Sequence, residues 1–251
     1  MLFRRGNMGT VRRAMVGVLL LLTAAGCSND PQDPAPLAAS TVPPAAVSVP
    51  APTAPPRLLV FGDSLVSGAG SSTPPSTSFG YDLGEQLGWP TAISGVGGTG
   101  YLNRGPEVGL DLSYGARLQA LPEVGLAADV IVVEGGLNDR WQTADALAAA
   151  ATSFLQLLHV KAPTAQVVVV GATAPAPDDA ASVAASAAVN AVLSTVTAAQ
   201  AATFVDPVAE NWFTPENTPA YITADRIHPT DAGHEYMAAR LAEHLRLLPV
   251  G

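Results

Sequence analysis

Residues 57–65, Arg-Leu-Leu-Val-Phe-Gly-Asp-Ser-Leu, contain the stretch that decides the fold. The apolar run at 58–61 is short and is followed by glycine, which predicts a buried β-strand. Residues 128–134, Ala-Asp-Val-Ile-Val-Val-Glu, predict a central strand rich in β-branched side chains. Further strands are expected near residues 91–94, at 166–170 and at 204–205.

Helical patterns fill the intervals between these strands. They cover residues 81–87, 144–160, 180–202 and 232–248. Apolar strands that alternate with helices predict an α/β fold with a parallel sheet covered on both faces. Because ligands in such sheets bind at the carboxyl ends of the strands, we expect functional side chains in the loops that follow the strands.

The first 27 residues have the composition of an export signal. Four arginines and no acidic residue precede an apolar run at 14–22, and small residues lead up to Cys27. This order predicts a secretory signal peptide, and the apolar run is too short for an ordinary membrane-spanning helix. Residues 23–27 resemble a bacterial lipobox, whose cysteine is diacylated and becomes the mature N-terminus, although alanine stands at residue 24 where leucine is usual. An ordinary signal peptide with an incidental cysteine is the alternative.

We prefer the lipobox, because Cys27 is the only cysteine in the chain and stands where a lipobox needs it. The expected location is therefore the outer face of the cell membrane, with the lipid at Cys27 as the anchor. Residues 28–56 contain nine prolines and predict an extended tether. The folded domain is expected at residues 57–251, a length that suits one domain with one core.

Charge and composition exclude several classes of function. Beyond residue 27 the chain has 8 basic and 21 acidic residues, a formal net charge of −13. Such a surface repels phosphate backbones, so nucleic acid is not expected as a partner. The sequence has no cluster of His, Cys and carboxylate residues at metal-ligand spacing, so neither a metal nor a cofactor is expected.

The segment 62–65, Gly-Asp-Ser-Leu, places a serine directly after the first predicted strand. At a turn from strand to helix, Ser64 would be exposed at the edge of the sheet. Its own N–H and the helix N-terminus would favour the negative charge that develops in acyl transfer. The alternative is a serine that only caps a helix or stabilises a turn.

The segment 225–229, Asp-Arg-Ile-His-Pro, supplies the groups that a serine nucleophile needs. His228 can accept the proton of a serine hydroxyl, and Asp225 can fix the tautomer of the imidazole. A separation of three residues in a turn allows the two side chains to converge. The alternative is a surface Asp and His beside the start of a helix. His159, His234 and His244 lack such a partner and are interpreted as helix-face residues.

Two further segments follow predicted strands. Residues 136–139, Gly-Leu-Asn-Asp, place Asn138 where its amide could donate to an oxyanion, although a Gly-Asx turn that only ends the strand is also common. Residues 95–100, Gly-Val-Gly-Gly-Thr-Gly, allow a close approach of the backbone. This run lacks the Lys-Ser/Thr of a phosphate-binding P-loop.

In this order, the four segments resemble the four blocks of the SGNH (GDSL) hydrolase family, and the resemblance covers residues 58–247. It implies a three-layer α/β/α sandwich with a flavodoxin-like parallel sheet. It also implies that Ser64 is the nucleophile and that Asp225 and His228 complete the triad. The α/β-hydrolase fold fits less well, because the second glycine of its Gly-x-Ser-x-Gly motif is missing.

The same resemblance implies an oxyanion hole formed by the Ser64 N–H, a glycine N–H of the second block and the Asn138 amide. That glycine is Gly98 or Gly95, and we favour Gly98. The asparagine that ordinarily precedes this glycine is absent here.

The expected activity is hydrolysis of carboxylic esters through an acyl-enzyme on Ser64. A cell-envelope glycan O-acyltransferase or O-deacetylase with the same triad is the second hypothesis, and a binding module on a hydrolase scaffold is the third. The acyl-ester substrate could be a small molecule, a lipid or an envelope glycan. Four aromatic residues flank the motifs and either line the substrate cleft or belong to the core: Tyr101, Trp141, Trp212 and Phe213.

Overall fold

A computed structural model of the chain describes residues 54–107, 109–122 and 126–249. Five parallel strands form one sheet in the order β2-β1-β3-β4-β5. Their bounds are β1 Leu58–Gly62, β2 Thr91–Gly95, β3 Val130–Glu134, β4 Gln166–Val170 and β5 Thr203–Val205. This order is that of the flavodoxin-like sheet, so the expected α/β fold is confirmed.

The described residues form six named helices and one named 3-10 turn. Their bounds are α1 Phe79–Leu87, α2 Tyr114–Ala120, α3 Ala144–Lys161, α4 Ala180–Ala199, α5 Thr218–Tyr221 and α6 Asp231–Leu245, with the 3-10 turn at Leu137–Asp139, and α5 and α6 follow the last strand. Helices α2, α3 and α4 cover one face of the sheet, while α1 and α6 cover the other. The result is the three-layer α/β/α sandwich that the resemblance implied.

Alternate side chains of each strand enter the two layers of the core. From β1, Leu59 and Phe61 face α2 and α3, whereas Leu58 and Val60 face α1 and α6. All five residues of β1 and of β3 are buried, which explains why both strands read as continuous apolar runs rather than as alternating patterns. The two strands pair directly, so the loops that follow them lie side by side.

Helix α4 is the one element of the described chain that is long and apolar enough to cross a membrane, with a mean hydropathy of 1.4 over an 18-residue window. Its polar side chains tie it to the sheet. Ser186 donates to the carbonyl oxygen of Thr173, and Asn190 donates to that of Ala172. Helix α4 is therefore placed as a covering helix of the sandwich.

The structure departs from the sequence expectations at two short helices and one turn. Helix α2 was not predicted, because its seven residues include Gly115 and give too short a pattern. Helix α5 has only four residues. No regular helix begins at Ser64, because residues 63–70 form successive turns and α1 starts only at Phe79. The expected signal peptide with Cys27, and the tether as far as residue 53, lie outside the described residues.

Candidate active site

Ser64 lies at the carboxyl end of β1, two residues beyond the end of the strand. The turn that carries it is closed by backbone hydrogen bonds from Ser67 to Asp63 and from Ala69 to Ser64. The expected helix N-terminus at Ser64 is therefore wrong, since the described residues 63–78 form bends and turns and contain no helix. The turn still directs the side chain towards the carboxyl edge of the sheet.

The three residues of the expected triad meet at this edge. The Ser64 Oγ lies 3.1 Å from the Nε2 of His228. The Nδ1 of the same imidazole lies 2.7 Å from the Oδ2 of Asp225. With the Nδ1 proton donated to the carboxylate, Nε2 is left as the acceptor for the serine hydroxyl. Residues separated by 164 positions are thus joined in one hydrogen-bonded chain.

A compact loop holds the Asp225 carboxylate in place. Its Oδ1 accepts the hydroxyl of Thr223 at 2.7 Å and the N–H groups of Ile227 and His228 at 2.8 and 3.0 Å. Partial burial alone would raise the pKa of Asp225, but these donors and the His228 ring outweigh it and hold the pKa well below its usual value. Asp225 therefore stays ionised in the pH range in which an imidazole acts as a base.

The turns after Ser64 also support the loop of His228. Gly70 lies against this loop, and a Cβ at residue 70 would come within 2.8 Å of the His228 Cβ. The Asp231 carboxylate accepts the N–H and the hydroxyl of Ser72. His234 is buried on α6, where it accepts the Phe79 N–H and donates to the Ala69 carbonyl oxygen. His234 is thus a structural bridge within the fold.

The glycine-rich loop after β2 lies beside the serine. A Cβ built on Gly97 would lie 3.7 Å from the Ser64 Cβ. In the described part of the chain, no acceptor takes the N–H of Ser64, Gly97 or Gly98. Gly98 has a φ of 72°, which few residues other than glycine adopt easily. The glycine placed beside the Ser64 side chain is Gly97, which the sequence did not single out, and the assignment of Ser64 and Gly98 as oxyanion donors stays a prediction.

Gly95, the alternative block-two glycine, has a different role in packing. It ends β2, and a Cβ there would lie 2.4 Å from the backbone nitrogen of Ser67. Glycine is therefore required because the backbone of the Ser64 turn passes directly over it.

The structure places Asn138 in the 3-10 turn after β3. Its side-chain amide donates to the Asp63 carboxylate at 3.0 Å and to the Thr99 carbonyl oxygen at 2.9 Å. Both amide hydrogens are thus engaged, so Asn138 has to release or share one of them in order to donate to an oxyanion.

Two polar residues that the sequence analysis did not assign organise this edge of the sheet. The buried Asp139 carboxylate accepts the backbone N–H groups of Tyr101, Leu102 and Asn103 at 2.7, 3.1 and 2.9 Å, which anchors the loop after β2. Arg117 of α2 donates to the Gly62 carbonyl oxygen and the Thr99 hydroxyl. Asp139 directly follows Asn138 in the quoted segment, so the sequence contained a signal for it. Arg117 was missed because it lies on α2, a helix that was not predicted.

The four flanking aromatic residues divide between core and surface. Tyr101, Trp212 and Phe213 are buried, so they belong to the core. Trp141 is 78% exposed, and the Arg140 guanidinium lies 5.2 Å from the centre of its ring. Among the four, only Trp141 therefore has an exposed ring. No group of three His, Cys, Asp or Glu side chains in the described ranges is arranged to hold a metal ion.

Solved structures with this fold include several esterases of carbohydrates. A carbohydrate acetylesterase from Sinorhizobium meliloti, Est24, is 17% identical, with a TM-score of 0.58 over 76% of this chain and 98% of that one. A family two carbohydrate esterase with a carbohydrate-binding domain, from Corynascus, is 20% identical, with a TM-score of 0.59 over 78% of this chain and 68% of that one. These likenesses show the fold.

Sequence comparison identifies the family. A GDSL lipase of Mycobacterium tuberculosis is 45% identical over 60 residues, which are 24% of this chain and 25% of that protein. The chain thus matches about a quarter of the length of this curated relative. The sequence model of the GDSL-like Lipase/Acylhydrolase family matches residues 60–236. This range includes every residue assigned to the triad and to the oxyanion hole. The chain therefore belongs to the GDSL-like lipase/acylhydrolase family, the SGNH (GDSL) hydrolases that its four sequence blocks resemble.

Proposed function

We propose that the protein is a serine esterase that cleaves carboxylic esters through an acyl-enzyme on Ser64. The observation that carries this proposal is the hydrogen-bonded chain from the Ser64 Oγ through the His228 imidazole to the Asp225 carboxylate. An activated serine beside unpaired backbone N–H groups is suited to acyl transfer. Membership of the family supports the same conclusion.

In the first half of the reaction, the Ser64 Oγ attacks the ester carbonyl carbon while the His228 Nε2 takes the hydroxyl proton. The carbonyl electron pair moves to the oxygen, which the N–H groups of Ser64 and Gly98 and the Asn138 amide stabilise. The intermediate then collapses, the bond from carbon to the alcohol oxygen breaks, and His228 returns the proton to the leaving alcohol. The product of this half is the acyl-enzyme.

In the second half, a water molecule replaces the alcohol. His228 takes a proton from the water as its oxygen attacks the acyl carbon, and the same oxyanion donors stabilise the charge. The bond to the Ser64 Oγ breaks, and His228 returns the proton to that oxygen. The acid leaves, and Asp225 remains a carboxylate throughout.

A glycan ester is the second candidate substrate, for an O-deacetylase or an O-acyltransferase. It is favoured by Trp141, whose exposed ring lies three residues from Asn138 and is flanked by Arg140. A flat exposed aromatic face can pack against a sugar ring. Two solved structures with this fold are described as esterases of carbohydrates, which is consistent with this candidate.

The proposal is tested with purified protein, p-nitrophenyl esters of two to sixteen carbons and a fluorophosphonate probe. We expect hydrolysis of at least one ester and covalent labelling of the wild type, with both lost in Ser64→Ala. Ser64→Ala and His228→Ala should lower kcat by a similar factor, and the double variant should lose no more, because the two groups act in one proton transfer. Wild-type hydrolysis by Ser64→Ala would refute the mechanism. Acetylated oligosaccharides, with and without Trp141→Ala, test the glycan candidate.

We further propose that the mature protein is anchored by lipid at Cys27 on the outer face of the cell membrane. The support is the sequence alone: an apolar segment, small residues before the cysteine and the proline-rich tether after it. Metabolic labelling with a fatty acid, followed by membrane fractionation, tests this. Cys27→Ala should lose the label and either leave the membrane or remain unprocessed. An unlabelled wild type, with Cys27→Ala fractionating in the same way, would refute the anchor.

A further inference from the structure

Two carboxyl groups are buried directly below the Ser64 turn. Asp63 precedes the serine, and Glu134 ends β3 on the neighbouring strand; both are fully buried. The pairing of β1 with β3 sets Gly62 against Glu134, and Asp63 is the next residue, so the two carboxyl groups are neighbours. Among the described residues no donor meets hydrogen-bonding geometry at either oxygen of Glu134, and the Asp63 N–H only partly offsets the effect of burial on its pKa. A buried ionised carboxylate without donors is costly, so Glu134 is expected to be neutral.

The packing of Gly62 shows that the position of Glu134 is built into the fold. A Cβ on Gly62 would lie 3.0 Å from the Oε2 of Glu134 and 2.6 Å from its backbone oxygen. The carboxyl group thus occupies the space that the missing side chain of Gly62 leaves. A Cβ at this position would also lie 2.6 Å from the Cγ2 of Val66. Glycine is therefore required by the close approach of the Glu134 backbone and of Val66, and the Glu134 carboxyl group packs into the same space.

Burial raises the pKa of both carboxyl groups, and the charge of Asp63 raises that of Glu134 further. The opposing charge is that of Arg117, whose guanidinium donates to the Gly62 carbonyl oxygen at 2.8 Å and lies 4.3 Å from the centre of the Phe61 ring. The Asp139 carboxylate adds a further negative charge that raises the pKa of Asp63, so a proton shared by Asp63 and Glu134 lowers the excess of buried negative charge. Two carboxylates cannot hydrogen-bond to each other without that proton.

Asp63 connects the carboxyl pair to the site. Its Oδ1 accepts the Leu65 N–H at 3.0 Å, and its Oδ2 accepts the Asn138 amide at 3.0 Å. The more negative charge Asp63 carries, the more tightly it holds that amide hydrogen away from an oxyanion. A proton donated by Glu134 withdraws charge from Asp63 and loosens this hold.

We propose that Glu134 is a positioning residue that donates a proton to Asp63 and thereby frees the Asn138 amide to share a hydrogen with the oxyanion. The inference rests on the proposed esterase function for its kinetic consequence, but not for the protonation of Glu134. Glu134 itself touches neither substrate nor reacting atoms. It acts through Asp63 and Asn138.

The test compares two variants of matched size. Glu134→Gln keeps a neutral donor towards Asp63, and Glu134→Met keeps the length of the side chain but cannot donate. On the best p-nitrophenyl ester, Glu134→Gln should keep kcat within about threefold of wild type. Glu134→Met should lower kcat by about tenfold or more, with KM little changed, because only the stabilisation of the transition state is weakened.

A second comparison separates positioning from structure. In an Asn138→Ala background, Glu134→Met should cause little further loss of kcat, because Glu134 acts through that amide. Equal losses in both backgrounds, or a Glu134→Gln variant as impaired as Asn138→Ala, would overturn the inference. Thermal unfolding verifies that each variant folds, and if Glu134→Met does not fold, the Glu134→Gln result decides.

Infrared difference spectroscopy gives a readout that needs no substrate. The wild type at neutral pH should show the band of a protonated carboxyl, and Glu134→Gln should lack it. If Glu134→Gln loses that band but the wild type hydrolyses no ester, the proposed esterase function is refuted while the proton on Glu134 is established. A wild type without the band would overturn the inference whether or not the protein hydrolyses esters.

Discussion

Asp225 contacts His228 and Asp63 directly precedes Ser64, and their surroundings shift the pKa values of the two aspartates in opposite directions. The side chain of Asp225 is 47% exposed and accepts hydrogen bonds from Thr223, from Ile227 and from both the backbone and the ring of His228. Asp63 is fully buried and faces another carboxyl group. Solvation and donors keep the first aspartate charged, whereas burial forces the second to share a proton.

The two aspartates also differ in how their partners are distributed along the chain. The donors to Asp225 all lie within three residues of it, in its own loop. The partners of Asp63 include Glu134 and Asn138, more than 70 residues away. A short motif can therefore specify the charged aspartate completely, while the buried one depends on the pairing of β1 with β3.

The strongest test of this contrast is the same substitution at both sites. Asp225→Asn should lower kcat by about 10⁴, because the amide no longer holds the His228 tautomer and no longer stabilises the imidazolium. Asp63→Asn keeps an oxygen that can accept from Asn138, and should lower kcat by only about 10–100-fold. Steady-state kinetics on one short-chain ester gives both values, with circular dichroism as the control for folding. Equal losses would show that the two aspartates do not differ in the way described.

Removal of Asn138 should have the next largest effect. Asn138→Ala deletes one oxyanion donor and should lower kcat by about 10²–10³ with little effect on KM. Asn211→Ala is the control, because the side-chain amide of Asn211 donates to the Ala209 carbonyl oxygen within its own surface turn, away from the site. A loss of less than a few-fold at Asn138 would mean that the residue only joins Asp63 to Thr99.

A smaller effect is expected from a single donor to Asp225. Thr223→Val removes the hydroxyl that lies 2.7 Å from the carboxylate, which weakens but does not abolish the low pKa of Asp225. kcat/KM should fall by about two- to tenfold at neutral pH, and Thr223→Ser should restore it. Thr195→Val, which removes a similar hydroxyl from the exposed face of α4, should have no effect. Loss of activity in both valine variants would point to a general effect on stability.

The sequence predicted the parts of the molecule whose determinants are local. The apolar runs predicted the five strands, and the two end segments predicted which Ser, Asp and His the fold brings together. The prediction that a helix starts at Ser64 was wrong, because the turn residues 65–70 and a further loop separate Ser64 from α1. The buried group of Asp63, Glu134 and Arg117 could not be predicted, since its members come from three elements and one of these, α2, has too short a pattern to be recognised.

Glu134 illustrates the limit in physical terms. In the sequence it is the polar end of an apolar strand, where a glutamate would ordinarily point into solvent. Only the pairing of β1 with β3 and the missing side chain of Gly62 create the space that buries it. Pairing and packing of this kind depend on residues distant in the chain, so no local pattern carries the signal.

A third aspartate, Asp82 on α1, tests whether a carboxyl group outside the active site can also have a raised pKa. Partial burial, with the charges of Glu235, Glu85 and Asp231, raises the pKa of Asp82 to about 6. The fold thus favours its protonated form, so the stability that this proton contributes is present below about pH 4 and is lost as the pH rises through 6.

Asp82→Asn should therefore stabilise the protein at pH 7, by less than about 1 kcal/mol after screening by solvent, and the gain should vanish near pH 4. Asp145→Asn is the matched control, because Asp145 also lies in the first turn of a helix, α3, and its loss removes only a favourable interaction with the helix dipole. Urea unfolding of both variants at the two pH values measures the difference, and ester hydrolysis should be unchanged in each. If Asp82→Asn were destabilised at pH 7 as much as Asp145→Asn, the acidic neighbours on α1 and α6 would not be repelling the Asp82 charge. A raised carboxyl pKa would then be confined, of these sites, to the buried pair of Asp63 and Glu134 beneath Ser64.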